Sequence, residues 1–159
     1  MSKVKICCIS TEKEAQMALE AGADYLGFVG PMPSGPGPIP LDKIAQIRAS
    51  VPTGTECFYL TSKVNIEQIA REYEIALTSH IQLTDHVTEQ TKSKLKHLFP
   101  HVKIVQVVHV ASDASVDEAI MYAESSDFLL LDSGNPNKNI KELGGTGRTH
   151  NWEISKKIV

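Results

Sequence analysis

The chain is poor in cysteine, with three in 159 residues, and two of them, Cys7 and Cys8, are neighbours. An odd count with one adjacent pair suits neither a disulfide framework nor a CxxC metal site, so a reducing compartment is expected. The six histidines, His80, His86, His97, His101, His109 and His150, lack a ligand spacing such as HExxH, and no metal is expected. There is no excess of basic charge: the formal net charge is −3, which leaves no electrostatic footprint for nucleic acid or an anionic membrane surface. Long apolar runs are absent too. The N-terminus passes from Lys3 and Lys5 into a strand-length run and then a charged helix, so neither a signal-peptide core nor a membrane span is expected, and the reading is cytoplasmic.

What the chain does have is alternation. Strand-length apolar runs occur at Val4–Ile9, Tyr25–Val29, Glu56–Leu60, His80–Leu83, Lys103–Val110 and Asp127–Leu131. Most are nearly continuous in apolar character, as strands covered on both faces are. Between them lie helix-length amphipathic stretches, Glu12–Ala21, Leu41–Ala49, Ile66–Tyr73, Gln90–Leu98, Val116–Glu124 and Trp152–Ile158. Thr11 followed by Glu14 has the form of a capping box, and Gly22 is placed to stop the first helix. Tandem βα units of this kind predict an α/β fold, either a doubly wound sheet or a (β/α)8 TIM-type barrel. Residues 1–159 are expected to form a single domain holding about six of a barrel's eight βα units, with the first and sixth strands left unpaired.

The polar segments that follow strands are long, and those that follow helices are short. Gly30 to Pro40 is crowded with proline and glycine and cannot be helical, while Ser133 to Arg148 carries Gly144-Gly145-Thr146-Gly147. Loops after strands build the active-site face of a barrel. On that face the ends of the first and last strands bring two proton-moving groups, Cys7 and Asp132. Strand alternation puts Lys5 on the inward face with Cys7, where its charge favours a thiolate, and turns Cys8 towards the strand exit or helix layer. An apolar surround from Phe128 and Leu130 is expected to help Asp132 keep a proton. Gln106 and His109 have opposite parity on the fifth strand, so only one of them points inward; His109 sits where a second proton carrier is useful. The Gly144–Gly147 run lacks the ending of a nucleotide loop. Trp152 is expected to pack the sixth helix onto the barrel.

Three segments resemble one family in order along the chain. Val4-Lys5-Ile6-Cys7-Cys8-Ile9-Ser10 is similar to the opening of phosphoribosylanthranilate isomerases, Glu20-Ala21-Gly22-Ala23-Asp24-Tyr25-Leu26-Gly27-Phe28-Val29 to their second unit, and Gly144 to Trp152 to their GGTG segment. The resemblance implies a cofactor-free Amadori rearrangement of N-(5-phosphoribosyl)anthranilate in tryptophan biosynthesis, with Cys7 as base and Asp132 as acid. It implies a small phosphosugar substrate met by Lys5, Gln82, His109, Arg148 and Gly145, and a monomer or homodimer. Three positions depart from the pattern: Cys8 stands where the family has glycine, Gly37 where its second loop has a substrate arginine, and Thr84-Asp85 where the fourth strand ends in histidine and glycine. Losing a charge-assisted bond to an anionic substrate weakens binding by roughly 1.5–3 kcal/mol. The departures leave open a divergent paralogue acting on another phosphosugar, or a binding protein without turnover.

Overall fold

The computed structural model describes residues 2–159. Six strands alternate with six helices: β1 (Lys5–Ile6), α1 (Glu12–Glu20), β2 (Tyr25–Val29), α2 (Leu41–Ser50), β3 (Glu56–Thr61), α3 (Ile66–Ala76), β4 (His80–Leu83), α4 (Glu89–Leu98), β5 (Lys103–His109), α5 (Ala114–Ala123), β6 (Phe128–Asp132) and α6 (Trp152–Ile158). The strands pair in sequence order and all in parallel, each with the next. That is the order of a half-built barrel, not of a doubly wound sheet, whose strand order reverses.

One contact measures the curl of the sheet. The Lys5 ammonium on β1 donates a hydrogen bond to Gln82 Oε1 on β4. Three strand spacings in a flat sheet come to about 14 Å, beyond the reach of a lysine, so the sheet bends until β1 and β4 face each other. The concave side is filled by Val29, Phe58, Leu60 and Val105, with Cys7, Cys8 and Leu130 packed against them. The convex side carries the helices, over one cluster around Leu26, Phe28, Ile44 and Tyr59 and another around Ile69, Ile81, Leu95 and Ile104. Among the described residues no helix is long and apolar enough to cross a membrane.

Local chemistry explains the boundaries. Thr11 Oγ1 accepts from the Glu14 amide while the Glu14 carboxylate takes the Ser10 and Thr11 amides, closing the capping box on α1. Gly22, at φ +91°, turns the chain out of that helix. Asn65 caps α3, which runs on to Ala76 before Leu77 ends it in the left-handed region. The first strand is shorter than the expected Val4–Ile9 because Cys8 is itself left-handed, at φ +62°, which breaks the extended run; Ile9 returns only as a single bond to the Gly27 carbonyl. Trp152 does not pack α6 onto the barrel. It is 67% exposed beside His150, and Ile154 and Ser155 form the buried face instead.

Candidate active site

At the C-terminal ends of the strands lies a cavity of about 200 Å³, lined by Lys5, Cys7 and Cys8 from the β1 side and by Leu130 and Asp132 from β6, with Gln82 and Thr84 from the far wall. The β2–α2 and β6–α6 loops close over it through Met32, Ser34 to Pro36, and Leu143 to Gly145.

The β1 wall is set by alternation. Lys5 and Cys7 share the inward face, as their spacing requires. Cys7 Sγ rests on Gly27 of β2: a Cβ there would lie 2.6 Å from the sulfur, so glycine at that inward position is what seats the thiol. The Lys5 ammonium lies over the Phe58 ring, 4.5 Å from its centroid, as well as bonding Gln82. Burial lowers its pKa, and the neighbouring Cys7 pulls in the opposite direction. Lys5 is the single cationic side chain among the lining residues.

The β6 wall is set by loops. Asp132 Oδ2 accepts from the Gly134 amide at 2.8 Å and lies 3.7 Å from His109 Nδ1. His109 Nε2 is 2.9 Å from the Thr84 carbonyl, which only accepts, so Nε2 carries a proton and Nδ1 is left facing the carboxylate. That Nδ1 is buried and has no hydrogen-bond partner of its own. Burial, the largest influence on His109, lowers its pKa, but Asp132, the Thr84 carbonyl and Glu118 together raise it above the ordinary histidine value. For Asp132 the order is reversed. The adjacent His109 leads, with the Gly134 amide, and holds its pKa below the usual carboxylate value against burial. The expectation that an apolar surround keeps Asp132 protonated is therefore corrected: the imidazole outweighs desolvation, and Phe128, half exposed at the opposite end of the strand, does not supply the surround.

The remaining candidates divide. Gln82 and Gly145 line the cavity with Lys5, Cys7 and Asp132, while His109 stands behind Asp132. Arg148 is not brought there: its guanidinium pairs with Glu142, and the residue is 52% exposed by its side chain. Cys8 does not turn to the helix layer, because its left-handed backbone swings the side chain over the β2–α2 loop, where Sγ donates to the Pro36 carbonyl at 3.5 Å. Gln106 points away from the cavity, its amide donating to the carbonyls of Leu83 and Asp85. Cys7 and Asp132 face one space and are not hydrogen-bonded to each other.

Several residues that shape the site escaped the sequence reading. Gly134 is obligatory, since a Cβ would come within 2.4 Å of the Glu142 carbonyl and 2.6 Å of His109 Nδ1. Leu143 roofs the cavity, buried, from inside a polar loop, and an apolar residue directly before two glycines is the one signal in the sequence that could have marked it. The roof is tied down by Ser34 Oγ to the Lys141 carbonyl and by Lys141 to the buried Asp85, so one of the three departures from the family pattern anchors a loop.

Comparison with known proteins agrees with this layout. The family model described as N-(5'phosphoribosyl)anthranilate (PRA) isomerase matches residues 4–159. The N-(5'-phosphoribosyl)anthranilate isomerase of Crocosphaera subtropica is 31% identical over 152 residues, 96% of this chain and 70% of that protein. The enzyme of the same name from Methanothrix thermoacetophila is 27% identical over 99% of this chain and 72% of its own length. Among solved structures, phosphoribosyl anthranilate isomerase from Thermotoga maritima superposes with a TM-score of 0.78, at 24% identity over 97% of this chain and 70% of that one, a likeness of fold. The half-barrel, its paired loops and these matches have one explanation: the chain belongs to the N-(5'-phosphoribosyl)anthranilate isomerase family.

Proposed function

We propose that this protein isomerises N-(5-phosphoribosyl)anthranilate in tryptophan biosynthesis, in the cytoplasm and without a cofactor, with Cys7 as base and the Asp132–His109 pair as acid. The observation that carries the reading is the placement of a thiol and a carboxylate on opposite edges of one roofed cavity, with no bond between them. Facing one cavity from two sides, each group can work on a different atom of a molecule bound there.

The chemistry needs two proton transfers. An acid protonates the ribose ring oxygen, the C1′–O bond breaks, and the electron pair on nitrogen forms the Schiff base. A base then takes the C2′ proton, leaving an enolamine, and a proton added at C1′ with one lost from the C2′ hydroxyl gives the ketone. The raised pKa of His109 and the lowered pKa of Asp132 support a division of labour in which the imidazole is the proton source and the carboxylate its partner. His109 passes the proton through Asp132 to the ring oxygen as charge develops there. Lys5 is the one cationic side chain lining the cavity with Cys7, and Gln82 holds its ammonium in place.

The test is turnover of N-(5-phosphoribosyl)anthranilate by the purified protein, together with rescue of an auxotroph that lacks this step. Growth without tryptophan is the expected result. Failure of both, with turnover of a different amino-phosphosugar, supports the paralogue reading favoured by the scarcity of cations around the cavity.

A further inference from the structure

We propose that Cys8 is a positioning residue: it holds the β2–α2 loop over the cavity and makes glycine obligatory at position 37.

Cys8 adopts φ +62°, a region that a residue with a Cβ rarely enters, and it does so in the middle of a strand exit instead of at a helix end. The strain has a return. In that conformation the side chain leaves the sheet and seats on the β2–α2 loop, with Sγ donating to the Pro36 carbonyl at 3.5 Å. The next residue of the loop, Gly37, is also left-handed, at φ +78°. A Cβ built on it would stand 2.7 Å from Cys8 Cβ, 3.0 Å from Cys8 Sγ and 3.2 Å from Cys8 Cα. Two of those three atoms, Cα and Cβ, are fixed by the backbone, so rotation of the thiol does not make room.

The loop cannot retreat either. Just after Gly37 it is pinned back onto the sheet by the Ile39 amide, which donates to the Val29 carbonyl at 2.9 Å, and by the bridge between Val29 and Pro38. On its other flank Ser34 is tied to the Lys141 carbonyl, and Pro36 lies against Gly145, where a Cβ would come within 2.5 Å of the proline ring. A side chain at position 8 therefore excludes one at position 37. The pair leaves the loop to line the cavity with Met32, Ser34, Gly35 and Pro36, with no charged group from position 37.

A cycle of four proteins tests this: the parent, Cys8→Gly, Gly37→Ala and the double variant, read by thermal unfolding. Gly37→Ala alone is expected to lower the midpoint by roughly 5 °C. In the Cys8→Gly background the same change is expected to cost less than half as much, the residue being its φ. Equal losses in both backgrounds would overturn the proposal, as would failure of Gly37→Ala to fold in both; failure that Cys8→Gly rescues supports it. The kinetic arm rests on the cavity being the substrate site proposed above. There Cys8→Gly raises KM several-fold more than it lowers kcat, and Cys8→Ser, which keeps the Cβ and a donor, restores it. An unchanged KM in an active Cys8→Gly enzyme refutes the positioning role, whereas absence of turnover in the parent refutes only the function, and the unfolding cycle still decides the coupling.

Discussion

The two walls of the cavity are built differently. On the β1 side, Lys5 stands on β1, Cys7 follows one residue past its end against Gly27 of β2, and Lys5 reaches across to Gln82 of β4, relations that follow from the two-residue period and the curl of the sheet. On the β6 side, Asp132 is oriented by Gly134 of its own loop and by His109, which hangs from the Thr84 carbonyl of another. A wall made by strands has few ways to move, while a wall made by loops has its electrostatics set by whatever those loops bring. The β1 wall therefore governs whether chemistry occurs at all, and the β6 wall governs its pH dependence.

The largest expected effect is at the strand-built wall. Cys7→Ala removes the thiol assigned as the base, and turnover should fall by on the order of 10³-fold, within the span of general-base contributions. The unfolding midpoint should hardly move, because the half-buried thiol leaves little void. An active Cys7→Ala enzyme would end the assignment. Next comes the opposite wall: Asp132→Asn should lower kcat on the order of 10²-fold, since the amide neither relays a proton nor pairs with an imidazolium. Near-normal kinetics would shift the acid role to His109 alone.

The same contrast decides what the amino-acid sequence reveals. Five of the six strands fall close to their expected positions, because buried parallel strands write themselves as apolar runs. The one exception, β1, ends short of its expected bound because the left-handed turn at Cys8 has no marker when the residue there is not glycine. Lys5 and Cys7 were legible from parity. Asp132 was found by its position, but its ionisation was read wrongly: neighbours in sequence, Leu130 and Phe128, say nothing of His109, which arrives from β5 and dominates. Arg148 shows the limit in another way, as the Glu142 that captures it is six residues away along an irregular loop. The roofing role of Leu143 depends on contacts between two loops that no periodicity describes.

His109 separates relay from mere support. His109→Gln retains a donor for the Thr84 carbonyl but loses the titratable proton, so kcat should drop about tenfold. More telling is the profile. In the parent, turnover should decline as pH rises through the raised His109 pKa, and in the variant that limb should vanish or move. An unchanged alkaline limb would show that the imidazole only positions Asp132.

The smallest effect is thermodynamic and tests whether the pair is an ion pair in the free protein. A group whose folded pKa is depressed, as for Asp132, adds stability above its unfolded value, lost as pH falls through the folded one; a raised His109 adds stability below its unfolded value near 6.5, lost as pH rises through the folded one. The overlap of the two windows is mildly acidic. Asp132→Asn should therefore lower the unfolding midpoint more at about pH 5.5 than at about pH 8.5, where the imidazole holds less of its proton and the pairing with the carboxylate is weaker. The difference should be a few degrees at most, because at 3.7 Å the pair is longer than a hydrogen bond. A larger loss at the alkaline pH would mean that the Gly134 amide, not His109, is what holds the carboxylate, and the loop-built wall would then owe its charge to backbone alone.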